Sequence, residues 1–248
     1  MILAIDCGNT ATKLGIFDGD SLVSVYNINT NKGRSSDEYA KEMKDLVKDV
    51  EFTGAIISCV VPLLTSEIKD AVYRAFKVHP LIVDKNLKTK LPIKIDNPSE
   101  LGSDILCGAV GALKKYQAPL VIADLGTATK MFVVDKNGNM VGGMISSGMR
   151  INLESLVSNT SQLLETPLEA PKHVISKNTK ESIQSGIVYG QAFMISEFAR
   201  RMEKEIGYEL NRVLTGGFSK FIKDQVVCFH YEPTLTLEGL YEIYRINS

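Results

Sequence analysis

ILAIDCGNTATKLGIF (residues 2–17) and LVIADLGTATKMFVV (residues 120–134) follow one plan: an apolar strand, an aspartate, a glycine turn, the tetrapeptide TATK and a second apolar strand. The aspartates Asp6 and Asp124 stand 118 positions apart (124 − 6), far beyond the roughly 20–50-residue period of solenoid repeats. The chain therefore reads as a duplicated α/β module whose every copy opens on a hairpin.

Working outward, DGD (18–20) supplies a turn into a third strand, and SSDEYAKEMKDLVKDV (35–50) has helical spacing with Ser36 or Asp37 as N-cap. GAIISCVV (54–61) is a buried strand, TSEIKDAVYRAFK (65–77) a helix and PLIVD (80–84) a strand. SELGSDILCGAVGALKKY (99–116) passes from loop to apolar helix. The order then restarts: PLVIAD (119–124), a second hairpin turning at KNGN, and the helix RINLESLVSNTSQL (150–163). SIQSGIVYGQAFMISEFARRMEKEIG (182–207) is a long helix with a break expected near Gly186–Gly190. RVLTGGFSKFIKD (212–224) gives a strand, a Gly-Gly turn and a helix start, and TLEGLYEIYRIN (236–247) closes as a helix. The expected division is an N-terminal lobe, 1–116, and a C-terminal lobe, 117–248, with a ligand cleft between the paired turns.

Among 248 residues, 28 Lys+Arg against 29 Asp+Glu leave a net charge of −1. That balance argues against a general nucleic-acid or anionic-membrane binder. Asp6 and Gly8 interrupt the first apolar stretch, so no secretory leader is expected. The longest apolar run, GAIISCVVPLL (54–64), is too short to cross a bilayer as a helix. Cys7, Cys59, Cys107 and Cys228 are far apart in apolar settings and read as buried, reduced thiols of a cytoplasmic protein. His79, His173 and His230 show no metal-ligand spacing.

The chemistry falls to the hairpins. Gly8 and Gly126 allow close backbone approach to a ligand. Thr10, Thr12, Thr127 and Thr129 offer hydroxyls, and the turn N–H groups form an anion-binding concavity. An acid beside such a turn is explained by a cation that offsets both charges. Lys13 can reach a terminal phosphate as a point charge. Taken alone, Asp104, after a Gly-Ser turn, is a helix N-terminal acid favoured by the dipole.

With the motifs IDCGNTATKLGIF, ISCVVPLL, NPSELGSD, ADLGTATKMFVVD, GGMISSGMRINLESL, SKNTKESIQSGIVYG, LTGGFS and TLTLEGLYEIY in order, the chain resembles the type III pantothenate kinases almost end to end. These have duplicated ribonuclease-H-like lobes of the ASKHA (actin- and hexokinase-type) class. The resemblance implies ATP-dependent phosphorylation of pantothenate, the first step of coenzyme A biosynthesis, by a homodimer with the substrate site at or near the interface. It implies that Asp6, Cys7, Gly8, Asn9, Thr10, Ala11, Thr12 and Lys13 bind the ATP phosphates, with Asp6 on Mg²⁺. Gly126 and Thr127 would meet the phosphates from the second lobe, and Gly216 and Gly217 would line the adenosine side. Asp124 would hold a monovalent cation, potassium or ammonium. Asp104 would be the general base, beside Gly102 and Ser103, with Thr179 touching substrate from the other subunit.

Four departures from the family pattern concern the acceptor side and the second hairpin. Ile105 replaces an arginine and Ile95 a tyrosine, both of which line the pantothenate pocket; Lys130 replaces a threonine, and Ser147-Gly148 replaces Pro-Gly. Three readings follow: Lys130 or another cation supplies the lost positive charge and pantothenate is still phosphorylated, the pocket takes a different, less acidic small hydroxyl compound, or the chain keeps the fold as a non-catalytic, nucleotide-binding regulatory relative.

Overall fold

The computed structural model describes residues 1–160 and 166–248. The chain forms two compact units, Met1–Leu91 with Asp96–Lys115 and Leu235–Ser248, and Pro92–Ile95 with Tyr116–Thr234.

In the first unit, β1 (Ile2–Cys7), β2 (Ala11–Asp18) and β3 (Ser21–Asn29) form an antiparallel meander. Gly19 provides the positive φ, +54°, of the DGD turn. Helix α1 (Ser36–Leu46) carries the chain back to β4 (Gly54–Cys59), which joins β1 in parallel. Ser35, one residue ahead of the expected caps, caps α1 in a reciprocal box with Glu38, because only the residue three before the glutamate can exchange both bonds. Helix α2 (Thr65–Phe76) leads to a two-residue strand, β5 (Leu81–Ile82), much shorter than PLIVD suggests. The order is β3-β2-β1-β4-β5.

Alternation decides the faces. Leu3, Ile5 and Cys7 enter a core with Tyr39, Met43, Ile57, Ile68 and Val72 under α1 and α2. The intervening Ala4 and Asp6 face the other side, where α3 (Ser103–Lys115) and α6 (Leu235–Asn247) pack. Gly111 and Gly239 sit where these helices cross, and the ion pairs Lys114–Glu242 (3.2 Å) and Lys115–Glu238 (2.5 Å) flank the contact. Helix α6 thus groups with the first unit rather than with residues 117–234, unlike a cut at residue 116. Its apolar stripe, Leu235, Leu237, Leu240 and Ile243, is buried there.

The second unit repeats the plan. β6 (Leu120–Leu125), β7 (Ala128–Val134) and β8 (Met140–Ser147) form the meander, and β9 (Asn211–Thr215) joins β6 in parallel. A tenth strand, β10 (Phe229–Tyr231), falls in a stretch without strand pattern and completes the order β10-β9-β6-β7-β8. Helix α4 spans Met149–Ser158; the expected continuation through residues 161–163 lies outside the described residues. Helix α5 runs from Thr179 to Ile206 without the break expected near Gly186–Gly190. A Cβ at either glycine would meet nothing within 4 Å, so no close packing requires glycine there, and each costs the helix about 1 kcal/mol against alanine. Val188, Ala192, Ile195 and Ala199 fill the core against Val121, Ala123 and Met131, while Phe193 and Phe198 are exposed. Among the described residues, no helix is long and apolar enough to cross a membrane.

Candidate active site

In the first unit the β1–β2 turn is closed by the Gly8 N–H donating to the Ala11 carbonyl at 3.0 Å. Asn9 and Thr10 are exposed at its tip. Thr12 corrects the sequence expectation. It is fully buried, and its hydroxyl bonds the Thr30 hydroxyl (2.9 Å) and the Cys7 sulfur (3.5 Å). Cys7 is fully buried as well. Both side chains brace the turn from inside, because both fall on the core-facing parity of their strands. Asp6 has the opposite parity, with Lys13 and Ser58 as its register partners on β2 and β4.

Ser58 brings the acceptor loop to this point. Fully buried at the end of β4, it shares a 2.8 Å hydrogen bond with Ser103, the first residue of α3. The next residue is Asp104, whose Oδ1 accepts the Ile105 N–H at 2.8 Å. A Cβ on Gly102 would lie 2.6 Å from that same oxygen, so glycine leaves the room the carboxylate occupies. Ser58 is the register partner of Asp6, so its bond to Ser103 brings the start of α3 to the Asp6 strand; Cys107, one turn further, has its thiol pushed well above the ordinary range by burial first and then by the charges of Asp6 and Asp104. Two carboxylates, one at a phosphate-type turn and one at a helix start, therefore share a small region of one unit. The role of Ser58 escaped the sequence reading; its only signal is a hydroxyl in the otherwise apolar run GAIISC.

Cys59 also departs from expectation. It is the parallel register partner of Cys7 and is only partly buried, and Cys228 is exposed rather than buried. The neighbouring Cys7 thiol holds the Cys59 thiol below its ordinary range against burial, and the Cys7 thiol is raised in turn by Cys59 and by burial. Donation from Cys59 to the Val61 carbonyl at 3.2 Å opposes ionisation, but a thiol donor is weak. In a Cys228→Ser background, the iodoacetamide rate at Cys59 should rise with pH and level off at a midpoint well below the about 8.5 of an ordinary thiol. A midpoint above pH 8 would contradict this.

In the second unit the β6–β7 turn is closed by the Gly126 N–H on the Ala128 carbonyl at 3.0 Å, and the Gly148 N–H donates to the Thr127 carbonyl at the same distance. A Cβ on Gly148 would overlap Thr127 and Gly126, so this glycine seats the start of α4 directly on the turn. Thr129, like Thr12, is fully buried, and its hydroxyl has no hydrogen-bond partner among the described residues. Thr10 and Thr127 are left as the two outward threonines. Gly216, with φ +93°, follows β9; a Cβ there would stand 2.5 Å from Asp124 Oδ1. Gly217 is exposed beside it. Ile95 ends the strip 92–95, which is bridged to β8 through Ile93 and Met140. Thr179, exposed, opens α5 after the Asn178 cap.

Asp124 and Lys130 are cross-strand partners on β6 and β7. Lys130 Nζ lies 2.8 Å from Asp124 Oδ2, and the two side chains are 14% and 15% exposed. Removing one partner from such a desolvated pair costs about 3–5 kcal/mol. The residues at Asp124 do not fit an added monovalent cation, since one carboxylate oxygen holds an ammonium and the other abuts the Gly216 backbone. For ATP and Mg²⁺ the fit is better. The Gly8 turn presents Asn9 and Thr10 outward with Asp6 behind, and Mg²⁺ commonly takes one or two carboxylates together with substrate phosphates.

Two meander-first sheets in the same strand order, each with an acid at the first hairpin, define an ASKHA-type fold of the kind found in sugar kinases and ATPases. The polyphosphate/ATP-glucomannokinase of Arthrobacter sp. strain KM shares it at a TM-score of 0.51 and 13% identity, over 98% of both chains. The sequence profile of type III pantothenate kinase matches residues 2–201. The type III pantothenate kinase of Syntrophus aciditrophicus (strain SB) is 39% identical over all of both chains. That of Myxococcus xanthus (strain DK1622) is 37% identical over 100% of this chain and 99% of its own. The chain belongs to the type III pantothenate kinase family.

Proposed function

We propose that this protein transfers the γ-phosphoryl group of ATP to the primary hydroxyl of pantothenate, as a cytoplasmic homodimer at the entry to coenzyme A synthesis. The observation that supports the proposal is the hydrogen bond by which Ser103, next to Asp104, is tied to Ser58, the register partner of Asp6. ATP with Mg²⁺ supplies the phosphoryl group. The turn of residues 6–13 would take phosphates through its exposed Asn9 and Thr10, with Asp6 on the Mg²⁺; from the family resemblance, Thr127, Gly216 and Gly217 are assigned to the nucleotide. Asp104 accepts the hydroxyl proton as the hydroxyl oxygen bonds to phosphorus and ADP leaves; the chemistry needs placement and charge neutralisation above all. The Ile105 N–H orients the carboxylate for that role. Thr179 is assigned to the substrate site, which the partner subunit completes.

On the acceptor side, Lys130 is committed to Asp124 at 2.8 Å, so it is not assigned to the substrate's carboxylate in place of the arginine. Ile105 and Ile95 then leave the acceptor with fewer polar contacts, which favours a second reading, a different and less acidic hydroxyl substrate. The deciding experiment supplies purified protein with ATP, Mg²⁺ and pantothenate and follows ADP and phosphorylated product by mass. Turnover supports the proposal; nucleotide binding without turnover supports a regulatory relative. With pantothenate as acceptor, Ile105→Arg is expected to lower KM roughly tenfold or more, the worth of one charge-assisted hydrogen bond. An unchanged KM would count against pantothenate as the bound acid.

A further inference from the structure

The Asp124–Lys130 pair is a feature of this chain's own sequence. The two hairpins share TATK, and the register sets each lysine opposite an aspartate: Lys13 faces Asp6, and Lys130 faces Asp124. At Asp124 the pairing is explicit, with Nζ 2.8 Å from Oδ2 and both side chains mostly withdrawn from water. The remaining oxygen lies against the backbone of Gly216, where a Cβ would stand at 2.5 Å. On the second flank, the register partner of Asp124 is Thr215 of β9, 2% exposed and uncharged. A free potassium or ammonium ion entering here would meet a carboxylate already neutralised and an ammonium of like sign.

We infer that the Lys130 ammonium does the electrostatic work of the monovalent cation that the family resemblance implies at Asp124, so that this protein needs neither potassium nor ammonium. The inference rests on the proposed kinase activity for its catalytic consequence but not for its structural one. A lysine head has the charge of an ammonium ion and is delivered by the chain, so occupancy of the site does not depend on salt composition. Threonine at position 130 would remove that charge and leave Asp124 open to a cation from solution. Lys130 is thus a positioning residue: it holds the Asp124 carboxylate, and with it the β6–β7 turn that carries Thr127.

The test compares wild type, Lys130→Thr and Lys130→Met in choline chloride and in KCl or NH₄Cl at equal ionic strength, by thermal unfolding and by ADP release with ATP and pantothenate. Wild type is expected to melt at the same temperature and turn over within about twofold in all three salts. Both variants should lose about tenfold or more of their turnover in choline and recover it in KCl, and their melting temperature should rise in KCl over choline. A potassium-specific rise in wild-type melting temperature or turnover would overturn the inference, as would variants indifferent to the cation. If no form makes ADP in any salt, the kinase proposal fails while the melting comparison still decides the role of Lys130. The wild-type comparison needs no variant, so misfolding of a substituted chain does not remove the test.

Discussion

Asp104→Asn is expected to lower kcat with pantothenate by about 10²–10⁴-fold, the usual worth of a positioned general base, while ATP affinity stays within about twofold. Asparagine is isosteric with aspartate and keeps an oxygen for the Ile105 N–H, so the bond that orients residue 104 survives. Ser103 and Ser58 remain tied, so the loop keeps its seat on β4. What is lost is the ability to take the hydroxyl proton. ADP release measures the first quantity, and calorimetric titration with ATP and Mg²⁺ measures the second. Turnover within threefold of wild type would remove Asp104 from the mechanism; loss of ATP affinity by tenfold would mean the residue serves the nucleotide instead.

Gly239→Ala is expected to cost about 3 kcal/mol, at the upper end of overpacking penalties, and to lower the melting temperature by roughly 6–12 °C, at 2–4 °C per kcal/mol. A Cβ on Gly239 would overlap the Cys107 carbonyl and press on the Gly111 backbone. The obstacle is main chain on the facing helix, so no side-chain rotation relieves it. Separating α3 from α6 would stretch Lys114–Glu242 and Lys115–Glu238 and lift α6 off β1 and β4. Gly190→Ala in α5, where nothing lies within 4 Å, is the control and should be neutral or slightly stabilising. Equal melting temperatures for Gly239→Ala and wild type would contradict the close crossing. Because α3 begins with Ser103 and Asp104, the same substitution should lower kcat as well, through placement alone.

Much of this molecule is legible in local pattern. Period-two apolar runs, DGD and KNGN mark both meanders, and an aspartate followed by a glycine marks where each first strand ends. These signals lie within windows of about ten residues, the range over which side-chain alternation and turn chemistry act. The ordered motifs place the chain in its family for the same reason.

What the three-dimensional fold alone decided are the pairings between distant segments. Parallel registry sets Cys59 beside Cys7 and Ser58 beside Asp6. Burial turns Thr12 and Thr129 inward, although their residue type suits a phosphate turn. The crossing of two glycines draws α6 back to the first unit. Cross-strand register sets the Lys130 ammonium against the Asp124 carboxylate. Crossovers separate partners such as β1 and β4 by tens of residues, and no local window holds both members of a contact. Residue type therefore states which groups can bond or ionise, and registry and packing select the partner each one meets.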